Sequence, residues 1–288
     1  MKQPLYRIID AVYNKPWLLL PSAHRSIVQQ LQSHINSPTT TVPNLIEMEP
    51  DEPDQEEIDL ESLIEEMETG TAIVSVEGII GKRLSMLETM CGGVDLDEVT
   101  NQLRQARDNP EVTNILLYFN SPGGTVTGVR EAGEVIKEVN AVKPIIGYSD
   151  TVCASAAYWL ASQCSAFYCA ASADIGSVGV YSIFMDYSKQ LENEGIKVNA
   201  IYSGKWKLAG ADFKPMTDEE KQMFKADIDG IHAQFNAAVL SNREIKLEYL
   251  VDSNVFRGEA AVMNNFADGI ISSLDDMLSF INGMQLKI

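Results

Sequence analysis

The chain has 288 residues, 45% of them hydrophobic, and a net charge of -19. That length and apolar content suit one large α/β domain with appendages or two modest domains, and they exclude disorder of the whole chain. The acidic balance, with no clustered excess of Lys and Arg, argues against a nucleic-acid partner, because phosphate binding needs such a cluster.

From the N-terminus, the stretch "MKQPLYRIIDAVYNKPWLLLPSAHRS" contains an apolar run of only a few residues, broken by Pro16 and Pro21. It reads as neither a signal peptide nor a membrane span, so a soluble, cytosolic protein without a membrane anchor is expected. Leu5, Ile8, Ile9, Val12 and Tyr13 fall on one helical face, and Ile27, Val28, Leu31 and Ile35 predict a second helix after Pro21. Residues 1–35 are therefore expected to form a helical arm. Between Glu47 and Glu68 stand 12 acidic residues and no basic one, so only -7 of the net charge falls on the rest of the chain. With its Ser, Pro and Thr, the segment 36–69 has too little apolar content to fold alone and reads as a flexible acidic linker. Leu60, Leu63, Ile64 and Met67 offer a helical stripe at its end. Cys91, Cys153, Cys164 and Cys169 lack metal-ligand spacing and a secretory context, so reduced thiols and no metal site are expected.

After Gly70 short apolar runs alternate with amphipathic stretches: "AIVSVEGII", "LDEVTNQLRQAR", "NILLYF", "GVREAGEVIKEV", "PIIGYS", "AFYCA", "GSVGVYSIF" and "KVNAIYS". Strand-like runs separated by helices of ten or more residues mean βαβ units, so residues 70–288 are expected to be one α/β domain with a largely parallel sheet and flanking helices. Thr217-Asp218-Glu219-Glu220 reads as a capping box opening a long helix, with Phe224, Ile228, Ile231, Phe235 and Val239 on one face.

Three pieces bear on chemistry. "ILLYFNSPGGTVTG" is a buried strand followed by Gly123-Gly124, whose backbone N–H groups can face a cavity with no side chain in the way. Such a turn can be an oxyanion hole or an ordinary strand-to-helix connection. "DTVCASAAYWLAS" reads as the start of a buried helix that Asp150 and Thr151 can cap, and Ser155 stands in it among alanines. A hydroxyl there would have the N–H of Ala156 aimed at an oxyanion formed by its attack, although a lone Ser in a small-residue helix is more often a packing or capping residue. A nucleophilic Ser needs a base. The three histidines, His24, His34 and His232, have no flanking motif that suggests a triad, which leaves lysine. In "AIYSGKWKLAGADF" Lys205 and Lys207 would project to one side of an extended chain, and Lys207 lies between Trp206 and Leu208. Apolar surroundings favour the neutral amine that a general base requires, whereas on the segment alone the better reading of Lys207 is a surface residue.

Taken together, "SPGG", "ASAAYWLAS", "GSVGV" and "GIKVNAIYSGKWK", in that order, resemble the Ser-Lys peptidase family of signal peptide peptidase A and the phage capsid maturation proteases. The resemblance covers about Ala72 to Asp276 and implies a Clp protease/crotonase-like fold. It implies Ser155 as nucleophile, Lys207 as general base, Ser177 as the hydroxyl that orients the lysine amine, and Gly124 or Gly123 with Ala156 as the oxyanion hole. No cofactor is implied. Where many bacterial members carry Gly-Gly after the nucleophile, Ala156-Ala157 stands here, which keeps the N–H but narrows the cavity. The tail "FADGII" departs from the family's more usual Gly-Leu-Val-Asp.

The segments "AVYNKPWLLLP" and "SVEGIIGKRLSMLETMCGGVDLDEV" are similar to the phage branch, which points to a phage or prophage head protease acting on scaffold and capsid proteins in the host cytoplasm or the assembling shell. With a single copy of the motif set, resemblance to single-domain members implies a closed homo-oligomer in which Lys207 of one subunit reaches Ser155 of its neighbour. Alternatives are a bacterial peptidase that degrades released signal peptides, a crotonase-type acyl-CoA enzyme using the same Gly-Gly hole without Ser155 or Lys207, and an inactive scaffold component.

Overall fold

A computed structural model describes residues 15–36, 70–90 and 92–285. The expected helical face over Leu5 to Tyr13 and nearly all of the acidic linker lie outside the described residues. The chain runs β1 (Trp17–Leu19), α1 (Pro21–Asn36), β2 (Thr71–Glu77), β3 (Ile79–Gly81), α2 (Met86–Met90), β4 (Gly93–Asp95), α3 (Leu96–Asp108), β5 (Asn114–Asn120), β6 (Gly123–Thr125), α4 (Val129–Asn140), β7 (Ile145–Ser149), β8 (Val152–Ala154) and α5 (Ala156–Ala161). It continues through β9 (Ala166–Cys169), β10 (Asp174–Gly176), α6 (Ser188–Asn193), α7 (Asp218–Leu240), α8 (Leu247–Val251), β11 (Val255–Arg257), α9 (Gly258–Met263), β12 (Gly269–Ile270) and α10 (Leu274–Gln285).

The central sheet has the order β12-β9-β7-β5-β2, and every pair in it is parallel. A parallel sheet is covered on both faces, so its strands must be apolar on both. β5 shows how: Ile115, Leu117 and Phe119 point into the main core, while Leu116 on the opposite face meets Met277 and Ile281 of α10. The main-core face is covered by α3 through Leu96, Val99, Leu103 and Ala106, and by α4 through Val129, Ala132, Ile136 and Val139. Asp95 starts α3 by accepting the Asp97 N–H at 2.9 Å.

Four central strands stop at their carboxyl ends and resume at once as short strands of two further sheets, β2 into β3, β5 into β6, β7 into β8 and β9 into β10. These sheets have the orders β1-β6-β3-β4 and β11-β10-β8. They build a second layer above the carboxyl edge of the central sheet, the place where open α/β sheets bind ligands.

The capping box forms: Thr217 Oγ1 accepts the Glu220 N–H and Glu220 accepts the Thr217 N–H. Only the C-terminal half of that helix packs firmly, through Phe235 and Val239, with Phe235 stacked on Trp159 at 4.7 Å. The departing tail has a structural role: Phe266 is fully buried against Tyr158, and Asp268 accepts from the Phe167 N–H and from Arg243.

Three expectations need correction. Residues 152–154 are a strand rather than the first turn of a helix, because they pair with β10; Asp150 accepts from Tyr118 and Thr151 donates to Asn120 instead of capping. "GSVGVYSIF" is not a continuous strand: β10 ends at Gly176, and past it only Tyr181 makes a bridge, to Trp17. "KVNAIYS" forms no strand either, and Ile201 there is fully exposed; among the described residues no strand pairs with it. Four short strands, β1, β4, β6 and β11, lie outside the runs that the sequence offers, Gly123–Thr125 being a strand rather than a turn into a helix; of these, β1 in "PWLLLP", a short apolar run between prolines, has a strand's signature.

Candidate active site

Ser155 sits between the end of β8 and the start of α5 with φ 55 and ψ -117. For a residue with a Cβ this conformation costs on the order of 1–3 kcal/mol and persists only when the surroundings impose it. They do so here: the Ser155 N–H donates to Gly176 O at 2.8 Å, and its carbonyl accepts the Trp159 N–H at 2.9 Å. The side chain is left out of capping, and the one contact of its Oγ is a long one, 3.5 Å to Gly179 O. A strand, a strained serine and a helix in succession are the backbone recipe of a nucleophile elbow, which lifts the hydroxyl clear of the chain. The neighbours Cys153, Ala154, Ala156 and Ala157 are all fully buried, and Ser155 itself is 1% exposed. Burial pushes the Cys153 thiol far above its ordinary range, which keeps it protonated and inert.

The Gly-Gly turn lies against this serine. A Cβ at Gly123, whose φ is +106, would fall 3.0 Å from Ser155 Cβ and 2.1 Å from Leu18 O, so only glycine fits. Ser121 stitches the turn to β8: its N–H donates to Val152 O at 2.8 Å, and its carbonyl accepts the Ala154 N–H at 3.1 Å. The two glycines differ in where their N–H groups go. Leu20 N–H donates to Pro122 O at 3.0 Å and Leu18 pairs with Gly124, so by the alternation of antiparallel ladders Gly124 faces β1. The Gly123 N–H turns the other way, to Ser121 Oγ at 3.2 Å.

Ser177 stands beside Ser155 because β8 and β10 pair in parallel with Ala154 opposite Gly176, and each serine is the next residue of its strand. It also has a positive φ, 54, and its N–H donates to Asn254 O at 2.7 Å. Ser155, Ser177, Gly123 and Ala156 are thus brought together within one chain.

Lys207 is not brought to them. It is exposed in a turn whose backbone closes from the Lys207 N–H to Gly204 O, so the segment is not extended as the spacing argument assumed. Trp206 packs against the Lys205 ammonium, which pairs with Glu219. Among the histidines, His232 Nε2 lies 3.1 Å from the Val178 and Leu250 carbonyls, and His24 packs edge-on between Trp17 and Tyr181. The side chain of His34 lies outside the described residues. Neither described histidine contacts Ser155 Oγ in the manner of a triad.

No helix among the described residues is long and apolar enough to cross a membrane. In amino-acid sequence the chain is similar to Capsid assembly protease C of Escherichia phage lambda, 27% identical over 208 residues that cover 72% of this chain and 47% of that protein. It is also similar to Head-tail preconnector protein GP5 of Enterobacteria phage P21, 27% identical over 293 aligned residues that cover 96% of this chain and 57% of that protein. Protease 4 of Salmonella typhi is 27% identical over 194 residues, 64% of this chain and 30% of that protein. The chain spans about half the length of the two phage relatives. The family description "Peptidase family S49" matches residues 137–282, just over half of the chain, from α4 through the Ser155 elbow to α10. The parallel sheet, its second layer at the carboxyl edge and that match lead to one conclusion: the chain belongs to peptidase family S49, with a Clp protease/crotonase-like fold.

Proposed function

We propose that the protein is a serine endopeptidase with a Ser-Lys dyad that trims scaffold and capsid proteins during phage or prophage head assembly. The observation that carries the chemistry is the strained Ser155 elbow against Gly123, with Ser177 next to it in register. Support for the substrate class comes from the phage relatives, one of which aligns over 96% of this chain, N-terminal arm included.

In this reading Ser155 Oγ attacks the scissile carbonyl carbon while its proton passes to the neutral amine of Lys207. The N–H groups of Ala156 and of Gly124 or Gly123 receive the oxyanion. The C–N bond then breaks, the leaving amine takes the proton from Lys207, and an acyl-Ser155 ester remains. Water attacks that ester, gives a proton to Lys207, and releases the acid as Ser155 Oγ recovers its hydrogen. Ser177 holds the amine in line.

Because Lys207 does not reach Ser155 within one chain, the dyad forms between subunits of a homo-oligomer. The segment that bears Lys207 carries the means of association: Ile183, Met185, Tyr187, Ile196, Ile201 and Tyr202 are all exposed within about twenty residues. Apolar side chains gathered at that density mark an interaction surface. A head-to-tail contact of this kind must close into a ring to avoid open polymers. Co-expression with candidate capsid and scaffold proteins tests the function, with cleavage read by intact mass. Ser155→Ala should leave the substrates uncut; cleavage by the folded variant would remove Ser155 from the mechanism.

A further inference from the structure

Ser155 is almost fully buried, and β1 lies close to it: the place a Gly123 Cβ would take is 2.1 Å from Leu18 O and 3.0 Å from Ser155 Cβ. Trp17–Leu19 runs antiparallel to Gly123–Thr125 on one side. On the other, Trp17 exchanges both backbone hydrogen bonds with Tyr181, at 2.8 and 3.1 Å. The strand thus fills a slot between the Gly-Gly strand and the chain that follows Ser177, with Leu18 O pressed on the Gly123 Cα beside Ser155 Cβ. An extended peptide bound for attack by Ser155 suits that slot, which offers backbone partners on two sides next to the serine and the glycine pair.

Accepting Ser155 as the nucleophile, we propose that Trp17–Leu20 is a built-in occupant of the substrate cleft, which keeps the site closed until the arm is displaced. The side chains of β1 are those of an apolar peptide. Leu18 points into the main core and is completely buried, whereas Trp17 and Leu19 face outward beneath Ala23, Ile27 and Val28 of α1. The strand and α1 form one lid, and a substrate entering after it would put an apolar side chain in the place of Leu18.

Two features let the occupant stay uncut and yet leave. Past Leu20 the chain turns into α1 at Pro21, and Leu20 O accepts the His24 N–H at 3.1 Å. The strand therefore ends ahead of Leu20, and the carbonyl beside Ser155, that of Leu18, stays uncut in a single chain because Lys207 does not reach Ser155 there. Trp17 Nε1 and Tyr181 Oη, both in the seat, are buried without hydrogen-bond partners, which weakens the docked state against one that hydrates them.

The test is binding of a fluorescein-labelled peptide with the sequence of residues 15–22 (KPWLLLPS) to full-length protein, followed by anisotropy. All proteins carry Ser155→Ala so that nothing is cut. Adding Leu18→Asp puts a carboxylate in a closed apolar site and should expel β1, so the peptide should bind at least tenfold more tightly than to the parent. Trp17→Ala with Leu19→Ala, a milder change at the α1 contact, should act in the same direction and serves if Leu18→Asp does not fold. Equal affinity in parent and folded variant, or no binding to either, would overturn the proposal. With Ser155 restored, the same changes should raise hydrolysis of an apolar peptide at least tenfold. Absence of hydrolysis in every protein would count against the peptidase reading, while the binding comparison would still decide the occupancy of the cleft.

Discussion

At Ser155 the backbone holds a positive-φ conformation that suits glycine better than serine. Ser155→Gly removes the Cβ and with it the strain, at the cost of the extra chain entropy of glycine in the unfolded state. The net result should be a gain of about 1 kcal/mol in urea unfolding together with complete loss of peptide hydrolysis. Unchanged or lowered stability would mean that the positive φ of 55 is not strained in its setting. Gly123→Ala should do the opposite to the site. Its Cβ would collide with Leu18 O and crowd Ser155, shifting the turn that carries the oxyanion N–H. A displacement of about 1 Å at reacting groups can cost on the order of 100-fold in rate, and kcat for a short peptide should fall by about that much.

Among the elements, α7 carries the clearest separable contribution. Thr217→Ala removes the side chain that accepts the Glu220 N–H and should cost about 1 kcal/mol in urea unfolding at pH 7. Its partner adds a pH dependence. The Lys214 ammonium hydrogen-bonding to Glu220, with the Thr217 N–H, holds that carboxyl below the usual range. A carboxyl depressed in the folded state stabilises the fold above its unfolded pKa, near 4.3, and that contribution fades as pH falls through the lower folded value. Glu220→Gln should therefore lower stability at pH 7, and the difference from wild type should shrink as pH falls below the unfolded carboxyl pKa near 4.3, as read by unfolding titrations. This element was legible in the sequence because a capping box is local: its donors and acceptors lie within four residues. The run "VCASAA" was not. Its three strand residues are set by β10, twenty residues on, and local preference for alanine-rich helix loses to that pairing.

For the whole molecule, the separation of Lys207 from Ser155 makes a subunit-exchange experiment decisive. Ser155→Ala and Lys207→Ala proteins, each inactive alone, should recover hydrolysis when mixed and allowed to exchange, since some interfaces would pair an intact Ser155 with an intact Lys207. No recovery despite exchange verified by native mass spectrometry would put both residues in one subunit. The same experiment bears on the exposed apolar side chains between Ile183 and Tyr202, which a ring contact would cover. Replacing Ile201, fully exposed in the single chain, with Asp should then dissociate the oligomer without unfolding the monomer.

By itself the sequence determined the α/β class, the long capped helix, the glycine turn and the serine to suspect, because each is written in residues near one another or in a simple period. The parallel central sheet followed from the same alternation of apolar runs and helices. Only the tertiary structure decided that Ser155 ends a strand in a strained turn, that Ser177 stands beside it, and that Gly123 rather than Gly124 turns its N–H away from β1. It also brought Trp17–Leu19, more than a hundred residues distant in the chain, alongside Gly123–Thr125. These facts depend on which strands pair and in what register, and pairing is settled by burial and hydrogen bonding summed over the whole fold. The same physics left "KVNAIYS" without a strand partner among the described residues, which no local pattern could reveal.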